Sequence, residues 1–264
     1  MFYKRQAGVP AFTCEEYSPR QSDCCILIPV INKGSRILHE LQRAQEAGGP
    51  GLADIIICDG GSTDGSLQKD TIHPLEGNTL LTKQGSGKQG AQLRMGIWWT
   101  LERGYTGLIT IDGNDKDGIE DVPRFLETHR DGYDLIHGSR FIRGGKAINT
   151  PAARYLAVRL LHAPVISLTA RQWFTDTTNA YRAYSAAYLR DPRVAPLWEV
   201  FAGYELLAYL SVRATQLGYR ACEIPVTRAY PKTGKTPTKI SFLKGNWNLI
   251  QILFRNLCHA YDPK

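Results

Sequence analysis

The sequence predicts an α/β fold built on a mainly parallel sheet flanked by helices, with an amphipathic helical arm at its C-terminal end. Three observations predict it. Short apolar runs alternate with helix-period segments over about 140 residues. Acidic or glycine-rich turns follow the carboxyl ends of those runs. The last fifth of the chain turns basic and carries apolar residues at spacings of four and three. Strands alternating with helices make βαβ units and a parallel sheet, and ligands of such sheets bind at the carboxyl edge of the strands.

Residues 1–22 are polar and mixed, as in an arm or an edge strand. Cys24 to Val30 is a continuous apolar run, the pattern of a parallel strand buried on both faces. Ser35 to Glu46 has helical spacing. Ala53 to Cys58 predicts a second strand, ending in Asp59-Gly-Gly-Ser-Thr-Asp-Gly65. Asn78 to Leu81 predicts a third. The loop Gln84 to Gly90 opens a helix from Ala91 to about Arg103. Gly107 to Ile111 is a strand ending in Asp112-Gly-Asn114-Asp115, and Asp134 to Gly138 is another. Phe201 to Leu210 predicts an apolar helix. The expected division is an arm over 1–22, a catalytic domain over 23–230, and a basic loop with an amphipathic helix over 231–264.

Composition narrows the partners. The 264 residues are 43% hydrophobic and 22% charged, an ordinary globular balance. The most apolar stretch, Tyr155 to Leu168, is interrupted by Arg159, His162 and Pro164. It falls short of the roughly 20 apolar residues of a membrane span. The N-terminal Met-Phe-Tyr-Lys-Arg has no apolar core of a secretory signal, which predicts a cytoplasmic protein. The six cysteines form no CxxC pair. Cys25, Cys58 and Cys222 lie in apolar runs and are expected as buried free thiols. The net charge of +7 lies wholly in residues 213–264, with nine Lys or Arg against two Asp or Glu. Such asymmetry predicts an anionic partner, a phosphorylated substrate or an acidic membrane surface. Nucleic acid is not expected, because no recognition motif with interleaved aromatics accompanies the charge.

Several turns carry candidate chemistry. Asp112, with Asn114 and Asp115, offers oxygen ligands at a strand's end, as a hard divalent cation bridging phosphates requires; a plain turn uses the same residues. Asp59 suits a base or ribose, or again a turn. Gly85-Ser-Gly-Lys88 places backbone N–H groups and an ammonium before a helix, which suits phosphate. It is not a P-loop, since Gln89 follows Lys88. Arg140 and Arg143 present guanidinium forks in a glycine-rich loop, for phosphate or for solvent. Asp176 and Arg182 share one segment. Glu205 falls on an apolar helix, where a carboxylate is either paired or functional.

Taken in order, these segments resemble glycosyltransferase family 2 and its GT-A fold, a Rossmann-like sheet. Ile28-Pro-Val-Ile-Asn32 is similar to the family's P-V-Y-N start, and Asp59 to Gly65 to its D-D-G-S-x-D segment. Gly87-Lys88, Gly90-Ala91 and Gly96 resemble its G-K-x-x-A-x-x-x-G helix, and Asp112-Gly-Asn114 stands at its metal-binding D-x-D. Gly138-Ser-Arg140, Asp176 to Arg182 and Glu223-Ile-Pro-Val226 resemble segments of the dolichyl/polyprenyl-phosphate sugar transferase branch. The likeness spans roughly residues 24–245.

The resemblance implies an inverting, metal-dependent transfer from a nucleoside-diphosphate sugar, with Mg2+ or Mn2+ on Asp112, Asn114 and Asp115. It implies nucleotide-sugar contacts at Pro29, Val30, Asn32, Asp59, Lys88, Arg94, Asp112, Gly113, Asn114, Arg140 and Lys239. Asp176, Glu205 and Arg182 are the implied catalytic residues. The acceptor is a lipid phosphate or a hydroxyl, including a soluble saccharide in surface-polysaccharide synthesis. Three departures stand out: an amide at Asn114, Lys33-Gly34 in place of an acidic pair, and no spanning helices after the catalytic domain. A nucleotidyltransferase on a similar fold is the alternative, though its glycine-rich segment belongs near the first strand rather than near residue 85.

The C-terminal arm is the last expectation. Lys232, Lys235, Lys239 and Lys244 lie in or beside a Pro/Gly-broken loop. Leu243, Trp247, Ile250, Phe254 and Leu257 then share one helical face. That face packs on this protein's core, on a second copy in a homo-oligomer, or on an anionic membrane as a peripheral contact.

Overall fold

In the structure, a computed structural model, an eight-stranded sheet forms the central layer. The described residues are 7–48, 51–231 and 242–263, with the side chains of 242–246 left out of account. The sheet contains β1 (Phe12–Glu16), β2 (Cys24–Val30), β3 (Asp54–Asp59), β4 (Thr79–Lys83), β5 (Gly107–Thr110), β6 (Leu135–Ser139), β8 (Arg182–Ser185) and β9 (Ala221–Pro225), in the order β1-β4-β3-β2-β5-β8-β6-β9. β1 and β8 run against the other six. A separate parallel ribbon pairs β7 (Lys146–Ile148) with β10 (Thr227–Ala229).

The helices are α1 (Ser35–Glu46), α2 (Lys69–Ile72), α3 (Gln89–Glu102), α4 (Val122–Arg130), α5 (Ala152–Ala157), α6 (Ala163–Ala170), α7 (Ala186–Arg190), α8 (Glu205–Gln216) and α9 (Phe242–Leu257). A single π turn, Val158–His162, joins α5 to α6.

Both faces of the sheet are covered, so its strands are apolar throughout. Every residue of β2 is buried. Cys25 and Leu27 enter one core with Leu93, Met95, Leu206 and Leu210. Cys24, Ile26, Ile28 and Val30 enter the other with Ile37, Leu41 and Phe125. That split is the two-residue period of a strand dividing two layers. Gly96 lets α3 cross the sheet closely, since a Cβ there would stand 2.6 Å from the Cys58 sulfur.

The expected strands and α1 appear where the periodicity put them, and β1 is an edge strand pairing antiparallel with β4. Among the described residues all six cysteines are free. Cys25 and Cys58 are buried as expected, whereas Cys222 is half-buried. The helix expected from Phe201 begins at Glu205, because Phe201 is anchored in the core ahead of it and the Glu205 carboxylate closes the turn on the Gly203 N–H at 2.6 Å.

In the arm, α9 packs on α6 and α8 through Ile252, Leu253 and Asn256, while Trp247, Ile250, Phe254 and Leu257 are exposed. Of the three partners expected for that stripe, the chain's own core is not the one its described members meet. The side chains of Leu243 and Lys244, and all of Lys232, Lys235 and Lys239, lie outside the described residues. Among the described residues no helix is long and apolar enough to cross a membrane.

Candidate active site

β2, β3 and β5 are parallel, so their carboxyl ends meet at one edge. There the loops are laced through backbone groups. The Val30 carbonyl accepts the Gly60 N–H at 2.8 Å and the Gln92 amide from α3, which also reaches the Cys58 carbonyl at 2.8 Å. Pro29 and Val30 are buried at the carboxyl end of β2, where the Val30 carbonyl is engaged. Asn32 takes a left-handed φ of 48°, donates its N–H to Ser62 Oγ at 3.0 Å and accepts the Thr63 N–H at 2.8 Å. The Gly34 N–H reaches Asp64 at 2.8 Å.

Asp59 closes β3 almost buried and accepts the Ser62 N–H at 2.9 and 3.0 Å and its hydroxyl at 2.6 Å. Lys83, at the end of neighbouring β4, was not anticipated. Its ammonium donates to the Gly85 and Ser86 carbonyls and so shapes the loop before α3. Burial lowers its pKa, opposed by the nearby Asp59. A lone lysine ending an apolar strand was the available signal. Lys88 is exposed at the start of α3, with its N–H on the Ala202 carbonyl at 2.9 Å. Arg94 is buried and binds the Gly8 carbonyl at 2.6 Å; it ties down the N-terminal segment, which corrects its expected place among the donor contacts.

The Asp112 turn lies flat on the end of β2, because a Cβ at Gly113 would stand 2.4 Å from a Val30 methyl. The Asp112 carboxylate, 24% exposed, accepts the Asn114 amide N–H and lies 3.7 Å from Arg228. Asn114 Oδ1 is buried with no hydrogen-bond partner. Asp115, at φ 55°, pairs with Arg43 of α1 at 2.7 Å, and its N–H meets the buried Glu40 at 3.0 Å. Burial raises the Glu40 pKa far above the usual range, opposed mainly by that N–H.

Beyond the turn, Asp117 is wholly buried against Arg228, which also donates to Asn179 Oδ1 at 3.1 Å. The buried Lys116 ammonium lies 5.1 Å from the centre of the Tyr230 ring, and Arg154 donates to the Tyr230 hydroxyl at 3.0 Å. Arg36, Asn114, Asp115, Lys116 and Tyr230 line a cavity of about 270 Å³. Burial, then Arg228, brings Lys116 down to about 8. Burial would raise Tyr230, but Arg228 and Arg154 bring it down to about 8. Lys116, Arg228, Arg154 and Tyr230 were missed from sequence because 76 residues separate Arg154 from Tyr230 and 111 separate Asp117 from Arg228.

Among the described residues no group of three or more His, Cys, Asp or Glu side chains could hold a metal. Asp115 is committed to Arg43, a correction to its expected metal role. What remains is one carboxylate and one carboxamide, two hard oxygen donors two residues apart. That set fits a Mg2+ or Mn2+ completing its shell with phosphate oxygens and water. The orphaned Asn114 Oδ1 is the atom such an ion would satisfy.

The expected catalytic residues sit elsewhere. Arg140 and Asp176 form a buried bidentate pair at 2.6 and 2.8 Å, and Asp176 also accepts the Arg140 N–H at 3.2 Å. Glu223 holds the Asp176 N–H at 3.0 Å. Arg182 is buried, with donors on the Asn179 and Thr177 carbonyls at 2.8 and 2.7 Å, on Ser211 Oγ at 2.7 Å and on the Leu207 carbonyl. These charges are spent within the protein. They hold the 176–182 loop, which presents Asn179 to Arg228. Glu205 closes its own helix turn. Lys239 lies outside the described residues.

No family model matches the chain. Undecaprenyl-phosphate mannosyltransferase of Micrococcus luteus is 31% identical over 221 residues, 80% of this chain and 85% of that one. Polyprenol monophosphomannose synthase of Mycolicibacterium smegmatis is 26% identical over 219 residues, 76% of each chain. The fold matches glucosyl-3-phosphoglycerate synthase of Mycobacterium tuberculosis, crystallised with Mn2+, uridine diphosphate and phosphoglyceric acid, at a TM-score of 0.63 and 14% identity, covering 90% of this chain and 78% of that one. A mainly parallel sheet with acidic turns at its carboxyl edge, on this architecture, is the GT-A fold. The chain belongs to glycosyltransferase family 2, in its polyprenyl-phosphate sugar transferase branch.

Proposed function

We propose that this protein transfers a glycosyl group from a nucleoside-diphosphate sugar to a polyprenyl phosphate, with inversion at the anomeric carbon. The observation that carries this reading is the cavity beside the Asp112 turn, where the Lys116 ammonium lies over Tyr230 and Arg36 joins the lining. An ammonium and a guanidinium in one cavity suit an anionic acceptor. A phosphate needs no base, since its oxygen is already nucleophilic, whereas a hydroxyl requires one. Two carboxylates that could serve as a base, Asp176 and Glu205, are engaged with Arg140 and with the Gly203 N–H. The relatives' names point to the same acceptor chemistry.

In the reaction an acceptor phosphate oxygen forms a bond to the anomeric carbon as the bond from that carbon to the diphosphate breaks, releasing nucleoside diphosphate. Asp59 and the Asn32–Ser62 lattice hold the nucleoside end. Lys88 and the N-terminal end of α3 face the diphosphate. Asp112 and Asn114 would hold Mg2+ or Mn2+, which neutralises the leaving diphosphate. Lys116 and Arg228 add fixed positive charge that needs no reorganisation.

The test is transfer of labelled sugar from a panel of nucleoside-diphosphate sugars to polyprenyl phosphate, with and without chelator. Asp112→Ala is expected to lower turnover by about 10²–10³ with the melting temperature unchanged. Full activity of that variant would refute the role of Asp112. Release of pyrophosphate instead of nucleoside diphosphate, or labelling of a soluble saccharide alone, would overturn the proposed reaction.

A further inference from the structure

The inward face of α1 carries Ile37, Glu40, Leu41 and Ala44, at the helical spacing of a core stripe. Ile37, Leu41 and Ala44 enter the core with Ile28 and Val30. Glu40 sits among them fully buried, and its Oε1 has no hydrogen-bond partner among the described residues. An apolar side chain would fit this stripe, whereas a buried carboxyl group that lacks partners is costly. Stability therefore does not account for Glu40. Its other oxygen, Oε2, accepts the Asp115 N–H at 3.0 Å. Asp115 stands at φ 55°, in the left-handed region that favours glycine. A side-chain-bearing residue keeps that conformation where its surroundings hold it. α1 supplies both holds: Glu40 takes the main chain of Asp115, and Arg43, three residues on, takes its carboxylate at 2.7 Å. Arg43 also reaches the Asp117 carbonyl at 3.4 Å and Glu120 at 2.7 Å. One residue before Asp115, Asn114 closes on Asp112 through its N–H at 2.6 Å and through its side-chain amide. The aim of Asn114 Oδ1 and of the Asp112 carboxylate thus depends on where Asp115 is pinned.

We propose that Glu40 is a positioning residue: it holds Asp115 in the left-handed conformation and so sets the Asp112 and Asn114 oxygens for a divalent cation that carries a nucleoside diphosphate. The role rests on the Mg2+ or Mn2+ function proposed for Asp112 and Asn114. Glu40 itself touches neither cation nor substrate. Groups that orient metal ligands from behind commonly change metal affinity by tenfold to a hundredfold when they are removed, at roughly that order of magnitude. What Glu40 contributes is a hydrogen-bond acceptor at a fixed point, not a charge. A carboxamide supplies the same acceptor, whereas leucine completes the apolar stripe and removes it.

The test compares Glu40→Leu and Glu40→Gln with the parent. Mn2+ binding is measured by calorimetry in the presence of uridine, guanosine, cytidine or thymidine diphosphate. Thermal unfolding and amide exchange of residues 112–117 are followed without metal or nucleotide. Glu40→Leu is expected to melt at or above the parent's temperature, because an apolar group replaces a buried carboxyl group. It should nonetheless weaken Mn2+ by at least about tenfold and quicken exchange across the turn. Glu40→Gln should match the parent in all three measurements. A merely structural role predicts the opposite for Glu40→Leu, a lower melting temperature with Mn2+ affinity intact. The proposal is overturned if Glu40→Leu binds Mn2+ as tightly as the parent, or loses affinity only together with its melting temperature. It is equally overturned if Glu40→Gln loses as much as Glu40→Leu. A parent that binds Mn2+ with none of the four diphosphates would overturn the metal role of Asp112 and Asn114, and this proposal with it. That result is distinct from equal binding by parent and variant, which overturns the role of Glu40 alone.

Discussion

The two sides of the sheet build a site in different ways. On the β4-β3-β2-β5 side, the contacts at the strand ends run to backbone N–H groups: Asp59 on Ser62, Asp64 on Gly34, Asn32 on Thr63. On the β8-β6-β9 side, the frame consists of buried guanidinium groups, with Arg140 on Asp176 and Arg182 on three carbonyls. The first side leaves Asp64 exposed and Asp112 partly so, while Asp59 is buried on its own turn. The second spends its charges on holding a loop. An ion pair taken from water is costly to break, because the surviving charge has nowhere to go. The lesson is that a charged residue within a family motif can serve architecture on one side of a sheet and ligand on the other.

The largest expected effect tests the buried side. Asp176→Ala leaves Arg140 buried and unpaired, and should cost about 3–5 kcal/mol of folding stability, read from urea unfolding. A loss of activity with unchanged stability would instead make Asp176 a substrate-facing residue and collapse the contrast.

The next effect is a pH dependence confined to the same side. Burial, then the Arg182 charge, brings His162 down to about 4 and holds His137 well below its ordinary 6.5. Both are depressed in the folded state, so the unfolded chain binds protons first as pH falls. Stability is thus full above about 6.5 and drains away toward 4. For His162 alone the loss between pH 6.5 and 5 is about 2 kcal/mol. His162→Asn should flatten that slope in unfolding curves at the two pH values. An unchanged slope would show that His162 does not titrate differently on folding.

The smallest effect belongs to the nucleotide side. Asp59→Ala should cost only about 1 kcal/mol of stability, since it gives up bonds to a local turn. It should nonetheless weaken free nucleoside diphosphate by about tenfold or more in calorimetry. Unchanged affinity for the diphosphate would remove Asp59 from the site.

Much of this was legible in the chain itself. Apolar runs such as Cys24 to Val30 read as strands buried on both faces, because seven residues closed by a turn are too short for a buried helix. The turns at Asp59 and Asp112 follow their strands directly, so a parallel sheet carries both to one edge whatever else the chain does. The amphipathic period of α9 was legible as well, but not which face would turn inward, since Ile252 and Leu253 compete with Trp247 and Phe254 for the same core. Tertiary structure alone decided the fate of the charges. Whether Asp115 meets a cation or Arg43, and whether the Arg182 guanidinium is closed off by Leu207 and Ser211, depends on groups many residues away. Hydrophobic periodicity is a local property and survives in one dimension, whereas the pairing of buried charges is settled by three-dimensional proximity and the penalty for leaving any of them alone.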